Sequence, residues 1–166
     1  MSTPDSVTLQ RIQTAHPKLR AELDLIYKEI QATLTGKAVC RFAYVLRSMK
    51  EQDDLFAQGR TKPGKKVTNA RAGQSAHNYG LAVDIVLLLN NGKTASWDMK
   101  TDFDEDKKAD WMEVVEIFKR HGWVWGGDWK NLPDAPHFEK TFGKKCFELK
   151  EMYDSKKVDK EGYLIL

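Results

Sequence analysis

Leu81-Ala82-Val83-Asp84-Ile85-Val86-Leu87-Leu88-Leu89, followed at once by Asn90-Asn91-Gly92, decides how this chain folds. Nine residues are far short of the roughly 20 that cross a membrane, and apolar side chains at successive positions face both ways from an extended backbone. The run therefore predicts a strand buried on both faces. Asn-Asn-Gly is a hairpin-type turn signal and predicts a short return strand over 93–96. Asp84 is the residue that does not belong. Burying a lone carboxylate costs on the order of several kcal/mol unless something compensates it. A metal ion or a fixed cation would do so, as would capping or pairing with an Arg.

Outward from this strand, Leu19, Leu23, Ile26, Ile30 and Leu34 recur at steps of three and four, with Pro17 in the first turn and Gly36 as a stop. That spacing predicts an amphipathic helix. Residues 38–46, with Val39, Phe42, Tyr44 and Val45, favour a strand. Ser48 and Glu51 form a capping box that opens a second helix running to about Gly59. The stretch 60–74 is rich in Gly, Lys and Arg and reads as an exposed, mobile loop. Val114, Val115, Ile117 and Phe118 mark a helix over about 106–121, stopped by Gly122. A short strand over 137–142 and a charged, partly helical tail complete the chain. Strands and helices interspersed with hairpin signals predict an α+β fold: one compact domain over 1–166, with a small, mainly antiparallel sheet flanked by helices.

Composition agrees with this size and class. The chain has 166 residues, 41% apolar and 31% charged, enough to bury a core without disulfides. Lys and Arg total 27 against 24 Asp and Glu, a net charge of +3 that suits an anionic surface without requiring one. The two cysteines, Cys40 and Cys146, form neither a disulfide framework nor a metal knuckle, and read as buried or half-buried thiols. Residues 1–20 lack the apolar centre of a secretory signal. The cluster Lys62, Lys65, Lys66 and Arg71 has no interleaved aromatics and reads as a solvated loop, so no nucleic-acid partner is expected.

Two histidines complement Asp84. His77 lies seven residues before it, ahead of Gly80, which lets the backbone turn into the strand. His137 stands in Asp134-Ala135-Pro136-His137-Phe138-Glu139. Two imidazoles and one carboxylate form the ligand set of a catalytic zinc with a fourth position open, and place the metal in a cleft on the sheet. Metal-assisted hydrolysis still needs a carboxylate to relay the proton. Asp134 is the first candidate, held near the metal by the stiffening Pro136. Glu139, on the same strand face as His137, is its competitor.

The stretch Ser75-Ala76-His77-Asn78-Tyr79-Gly80-Leu81-Ala82-Val83-Asp84 matches S-x-H-x-x-G-x-A-x-D, and Asp134-x-x-His137 matches an acid-x-x-His element. These resemble the D-Ala-D-Ala metallopeptidase family, which includes D,D-carboxypeptidases, D,D-dipeptidases and the L-alanyl-D-glutamate peptidases of phage lysis. Similarity extends to His16-Pro17-x-Leu19, Arg47-Ser48, Gln58-Gly59-Arg60 and Trp125-Gly126-Gly127-Asp128-Trp129, about residues 9–143 in all, leaving the tail 144–166 unassigned. The last of these segments is similar to the L-alanyl-D-glutamate branch. The resemblance implies zinc ligands at His77, Asp84 and His137, the general base at Asp134, a transition-state contact from Arg47 and a substrate contact from Ser75.

The function expected from this resemblance is hydrolysis of the L-Ala–D-Glu bond of the peptidoglycan stem peptide by a monomeric endolysin. It would be made in the cytoplasm without a signal peptide, have no stable membrane insertion, and reach the wall through a membrane lesion. The alternatives are a D-Ala-D-Ala carboxypeptidase or dipeptidase, and a zinc-stabilised wall-binding module without turnover. Intact Asp134 and Arg47 argue against the last.

Overall fold

The computed structural model describes residues 3–166; the first two residues of the polar lead-in lie outside it. Helices α1 (Ser6–Ile12) and α2 (Pro17–Thr33) precede strand β1 (Val39–Tyr44) and helix α3 (Met49–Ala57). Strands β2 (Ala82–Leu89) and β3 (Thr94–Ser96) form the hairpin. Helix α4 (Asp110–Arg120), strands β4 (Val124–Trp125) and β5 (His137–Glu139), and helix α5 (Cys146–Asp154) follow. The fold is α+β as expected.

Every strand pairing is antiparallel, in the order β1-β2-β5-β4, with β3 extending the edge of β2 that its N-terminal half shares with β5. β2 is thus central, which explains an apolar run broken only by Asp84. Phe42, Ile85 and Phe138 lie on the sheet face that packs on the helices and are at most 1% exposed. Phe118 of α4 stacks on Phe138 at 4.2 Å between ring centroids, and Tyr27 of α2 packs edge-on to Phe42 at 5.6 Å. Such pairs add about 0.5–1.5 kcal/mol each beyond the area they bury. Among the described residues no helix is long and apolar enough to cross a membrane.

Local signals hold where backbone chemistry dominates. Pro17 occupies the first turn of α2, and Ser48 and Glu51 form the reciprocal capping box of α3. Asn90, Asn91 and Gly92 all take positive φ in the hairpin turn. Three expectations need correction. α2 ends at Thr33, so Gly36 is not its stop. Instead, a Cβ on Gly36 would lie 2.5 Å from Cβ of Asp104, so the glycine admits the 97–109 loop against the end of α2. α4 begins at Asp110 rather than near Asp106, because the preceding acidic residues fold into a loop of their own. The lead-in also contains α1, capped by the Asp5 side chain on Thr8 N.

The tail beyond the family resemblance packs onto the rest of the chain. Leu149 and Leu164 are buried. His16 Nε2 lies 2.8 Å from the Leu164 carbonyl, while its Nδ1 accepts from Lys18 N and caps α2. Tyr163 donates to the Thr14 carbonyl at 2.9 Å.

Candidate metal and catalytic site

Sheet register brings the first two candidate ligands together. Asp84 and His137 are direct cross-strand partners of β2 and β5, so their side chains share a face at the closest spacing that antiparallel strands allow. His137 Nδ1 lies 3.0 Å from Asp84 Oδ1. His77 arrives from a 3-10 turn, Ala76–Tyr79, opened by Ser75, whose Oγ accepts from His77 N at 3.3 Å. The turn closes on Gly80 at φ +68, where a Cβ would meet His16 N at 2.6 Å, so only glycine can lead into β2 here.

Each imidazole is oriented by its second nitrogen. His77 Nδ1 lies 2.8 Å from the Val45 carbonyl and His137 Nε2 lies 2.9 Å from Glu139 Oε2. These partners leave His77 Nε2 and His137 Nδ1 facing Asp84, with each ring held by a hydrogen bond at its far nitrogen as metal-binding histidines need. His77 Nε2 is 3.0 Å from Asp84 Oδ1 but misaligned for a hydrogen bond, and so is a buried nitrogen with no partner. One ligand atom from each of the three residues lies within 4.8 Å of the others, all in a cleft of about 560 Å³. An orphaned buried nitrogen beside a carboxylate and a second oriented imidazole fits a divalent cation.

The electrostatics are those of a proton-sharing cluster. Burial would raise the Asp84 pKa, but the His137 and His77 rings hold it well below the usual carboxylate range. Burial would lower that of His137, but hydrogen bonds to Asp84 and Glu139 lift it to about 9. Asp134 is pushed up by burial and then by the nearby Asp84 charge.

Asp134 lines the same cleft. Its backbone is fixed by Asp134 N donating to Gly126 O at 2.9 Å and by His137 N donating to Asp134 O at 3.1 Å. A Cβ on Gly126 would sit 2.5 Å from Asp134 O, so this glycine is what allows the two segments to meet. Trp125 Nε1 donates to the Ala135 carbonyl at 2.7 Å, and the Trp129 ring packs on His137 at 5.2 Å. The Trp-Gly-Gly-Asp-Trp segment is therefore the wall behind the last candidate ligand.

Arg47 is held rather than free. Its Nη1 donates to Gln52 Oε1 at 3.1 Å, its guanidinium lies 5.2 Å from the centre of the Tyr44 ring, and Nη2 is 3.8 Å from Asp84 Oδ2. Of the two compensations open for Asp84, the Arg lies beside it, and the His77 and His137 nitrogens leave it able to hold a metal as well. Fully buried Gln52 also donates to the Ala70 carbonyl, so it anchors both Arg47 and the 60–74 loop. That loop is exposed as expected, but Arg60 and Asp53 also tie it to α3. Sequence reasoning missed Gln52 and Gly126: Arg47 precedes the Ser48 cap of α3, so its contact with Gln52 follows no helix spacing, and the meeting of Gly126 with Asp134 joins segments that no local signal links.

Glu139, the competitor of Asp134, is engaged with His137. Cys146 borders the cleft with its thiol pKa raised by burial, and Cys40 is buried.

Residues 68–140 match the model of a peptidase family described as D-alanyl-D-alanine carboxypeptidase. The peptidoglycan L-alanyl-D-glutamate endopeptidase CwlK of Bacillus subtilis (strain 168) is 56% identical over 93 residues, 56% of this chain and 55% of that protein. The chain thus spans about half the length of that relative. The crystal structure of Serratia marcescens L-Ala D-Glu endopeptidase ChiX aligns with a TM-score of 0.53 at 24% identity, covering 82% of this chain and 88% of that one. This last likeness concerns the fold. The motifs in 75–84 and 134–137 lie within the stretch that matches this family's model, in agreement with the resemblance read from them.

Proposed function

We propose that this chain is a zinc-dependent peptidase that hydrolyses the L-Ala–D-Glu bond of the peptidoglycan stem peptide and acts as a wall-lysing enzyme. The observation that carries the chemistry is the convergence of His77 Nε2, Asp84 Oδ1 and His137 Nδ1, each imidazole already fixed through its other nitrogen. The choice of bond rests on the 56% identity to CwlK, and the assignment to the single domain 1–166 on the packing of the tail.

His77, Asp84 and His137 would hold the metal. A bound zinc ion supplies a Lewis acid for the scissile carbonyl and lowers the pKa of water. Hydrolysis places the water oxygen on the L-Ala carbonyl carbon, breaks the C–N bond and puts a proton on the D-Glu nitrogen. Asp134 takes the proton from the attacking water at a carboxylate oxygen and gives it to that nitrogen; its raised pKa narrows the gap across which the proton moves. Arg47, fixed by Gln52 and Tyr44, donates to the oxygen on which negative charge develops. The Ser75 hydroxyl accepts from His77 N and keeps its own proton for a substrate carbonyl.

The description of the matching family keeps a second reading in view, cleavage of D-Ala-D-Ala by the same residues. Zinc content and wall digestion test the metal claim. One zinc per chain is expected, with both zinc and activity lost in His77→Ala and His137→Ala and restored to zinc-stripped parent protein by added zinc. Activity that persists without zinc, or a second tightly held zinc, would count against it.

A further inference from the structure

The loop between β3 and α4 contains an arrangement that peptide hydrolysis does not use. Residues 102–113 read Asp-Phe-Asp-Glu-Asp-Lys-Lys-Ala-Asp-Trp-Met-Glu, placing acids at positions 1, 3, 5, 9 and 12 of a twelve-residue loop that runs into a helix. These are the side-chain ligand positions of an EF-hand calcium loop, in which position 7 contributes its backbone carbonyl and position 6 needs a sharp turn, usually glycine. Position 6 here is Lys107, and its backbone takes the required left-handed conformation at φ +81. Asp102 in position 1 folds the loop around itself, accepting from the backbone N–H groups of Asp104, Glu105, Asp106 and Lys107.

Acid clusters are common on surfaces, but this one contains buried oxygens with nothing to bind. Asp110 is fully buried and Glu113 is 5% exposed, yet Asp110 Oδ2 and Glu113 Oε2 have no partner. Asp104 Oδ1 is likewise buried and unpartnered, while its Oδ2 accepts from Thr35 N and Oγ1. The ligand atoms of Asp102, Asp104 and Asp110 lie within 4.8 Å of one another, as do those of Asp104, Asp106 and Glu113, so Asp104 joins the two sets. Lys108, the nearest cation in sequence to Asp110, pairs outward with Glu116 at 3.5 Å.

We propose that residues 102–113 bind one calcium ion through the carboxylates of Asp102, Asp104, Asp106, Asp110 and Glu113 and the backbone carbonyl of Lys108. An all-oxygen set on a flexible loop selects a hard cation, and with Glu113 bidentate at position 12 the six groups offer about seven oxygens, more than magnesium's small, strongly hydrated octahedron accepts, which selects calcium. In the ion-free chain the clustered carboxylates include buried oxygens with no partner, so the acids are mutually repelled until a cation arrives. No helix leads into the loop and glycine is missing from position 6. The site is therefore expected to fall in the weaker range, with a dissociation constant of about 10⁻⁵ to 10⁻³ M. Asp104 rests against the end of α2, and Asp110 and Glu113 open α4, whose Phe118 stacks on Phe138 beside His137. Calcium would brace the framework behind the candidate zinc site.

The test is calcium titration of the zinc-loaded full chain by calorimetry, paired with thermal unfolding. One calcium per chain is expected, with Tm rising about 5–10 °C at a hundredfold excess over the dissociation constant. Magnesium at the same concentration should give a much smaller rise. Exposed Asp106→Asn should weaken calcium at least tenfold, and Glu113→Gln should abolish the response while the calcium-free Tm holds or rises, because repulsion is relieved. Zinc content should not change in either variant. Absence of calcium binding up to 10⁻² M, an equal effect of magnesium, or an undiminished calcium response in both variants would overturn the assignment. These readouts stand whether or not the chain is a peptidase.

Discussion

Replacing Gly126 by Ala isolates the placement of Asp134 from its chemistry. The added Cβ would lie 2.5 Å from Asp134 O, 3.1 Å from His137 Cβ and 3.2 Å from Asp134 Cβ. Gly126 has no left-handed backbone, so alanine is conformationally acceptable and the effect is steric alone. Clearing the carbonyl oxygen requires at least about 0.5 Å of movement, and about 0.9 Å to reach an ordinary contact. The His137 Cβ needs to give only a few tenths of an ångström. Misplacing a reacting group by about 1 Å costs on the order of 100-fold in rate, or about 2.7 kcal/mol of barrier. Gly126→Ala should therefore retain near one zinc per chain while its turnover on peptidoglycan falls about 30- to 100-fold. Zinc content and initial lysis rate measured on one preparation decide it. Turnover close to the parent would refute the claim that the Gly126 contact positions Asp134, and loss of zinc would mean that the strain passes to His137 instead.

Asp134→Asn keeps volume and fold but cannot take a proton, so zinc should remain while turnover falls about 100- to 10,000-fold, or about 3 to 5 kcal/mol. Full activity in that variant would end the assignment. Glu139→Gln should instead act through His137, weakening zinc affinity about 10- to 100-fold with a smaller effect on turnover at saturating zinc. Collapse of turnover in that variant alone would hand the base role to Glu139. Arg47→Lys should stay folded and zinc-loaded but lose most of kcat, because lysine cannot reproduce the planar fork; near-normal turnover would make Arg47 structural. In zinc-free protein the raised His137 pKa contributes stability that is fully present below about 6.5 and lost as pH rises through about 9. Unfolding free energy should fall over that window by up to on the order of 3 kcal/mol. Urea denaturation at pH 6.5 and 9.5 checks this, and a flat profile would mean that His137 is not held protonated by Asp84 and Glu139.

The sequence was most legible where one residue's chemistry fixes its place. Gly80 and the Ser48/Glu51 box each have one physical use, and the structure uses them so, while Asp84 in an apolar run calls for compensation and has His77, His137 and Arg47 around it. Fold class followed from the central strand, since only β2 needs apolar residues at nearly every position. The proximity of His77, Asp84 and His137 was an inference from ligand chemistry, and strand register supplied it. What was not legible depends on contacts between segments distant in sequence. Gly36 reads as a helix stop but serves the approach of Asp104, and the tail after 144 has weak local signals because His16 and Thr14 hold it. The acidic loop was a different failure. Its spacing is visible in the sequence, but helical periodicity reads back to Asp106 across residues whose alternating carboxylates favour a turn.

The most direct measurement of the central claim is mass spectrometry of purified peptidoglycan after digestion by the zinc-loaded protein, with each new terminus identified. The proposed function predicts stem peptides carrying a newly exposed D-Glu amino group, at a rate that falls with Asp134→Asn. Released D-Ala without a new D-Glu terminus, or no new terminus from fully zinc-loaded protein, would contradict it.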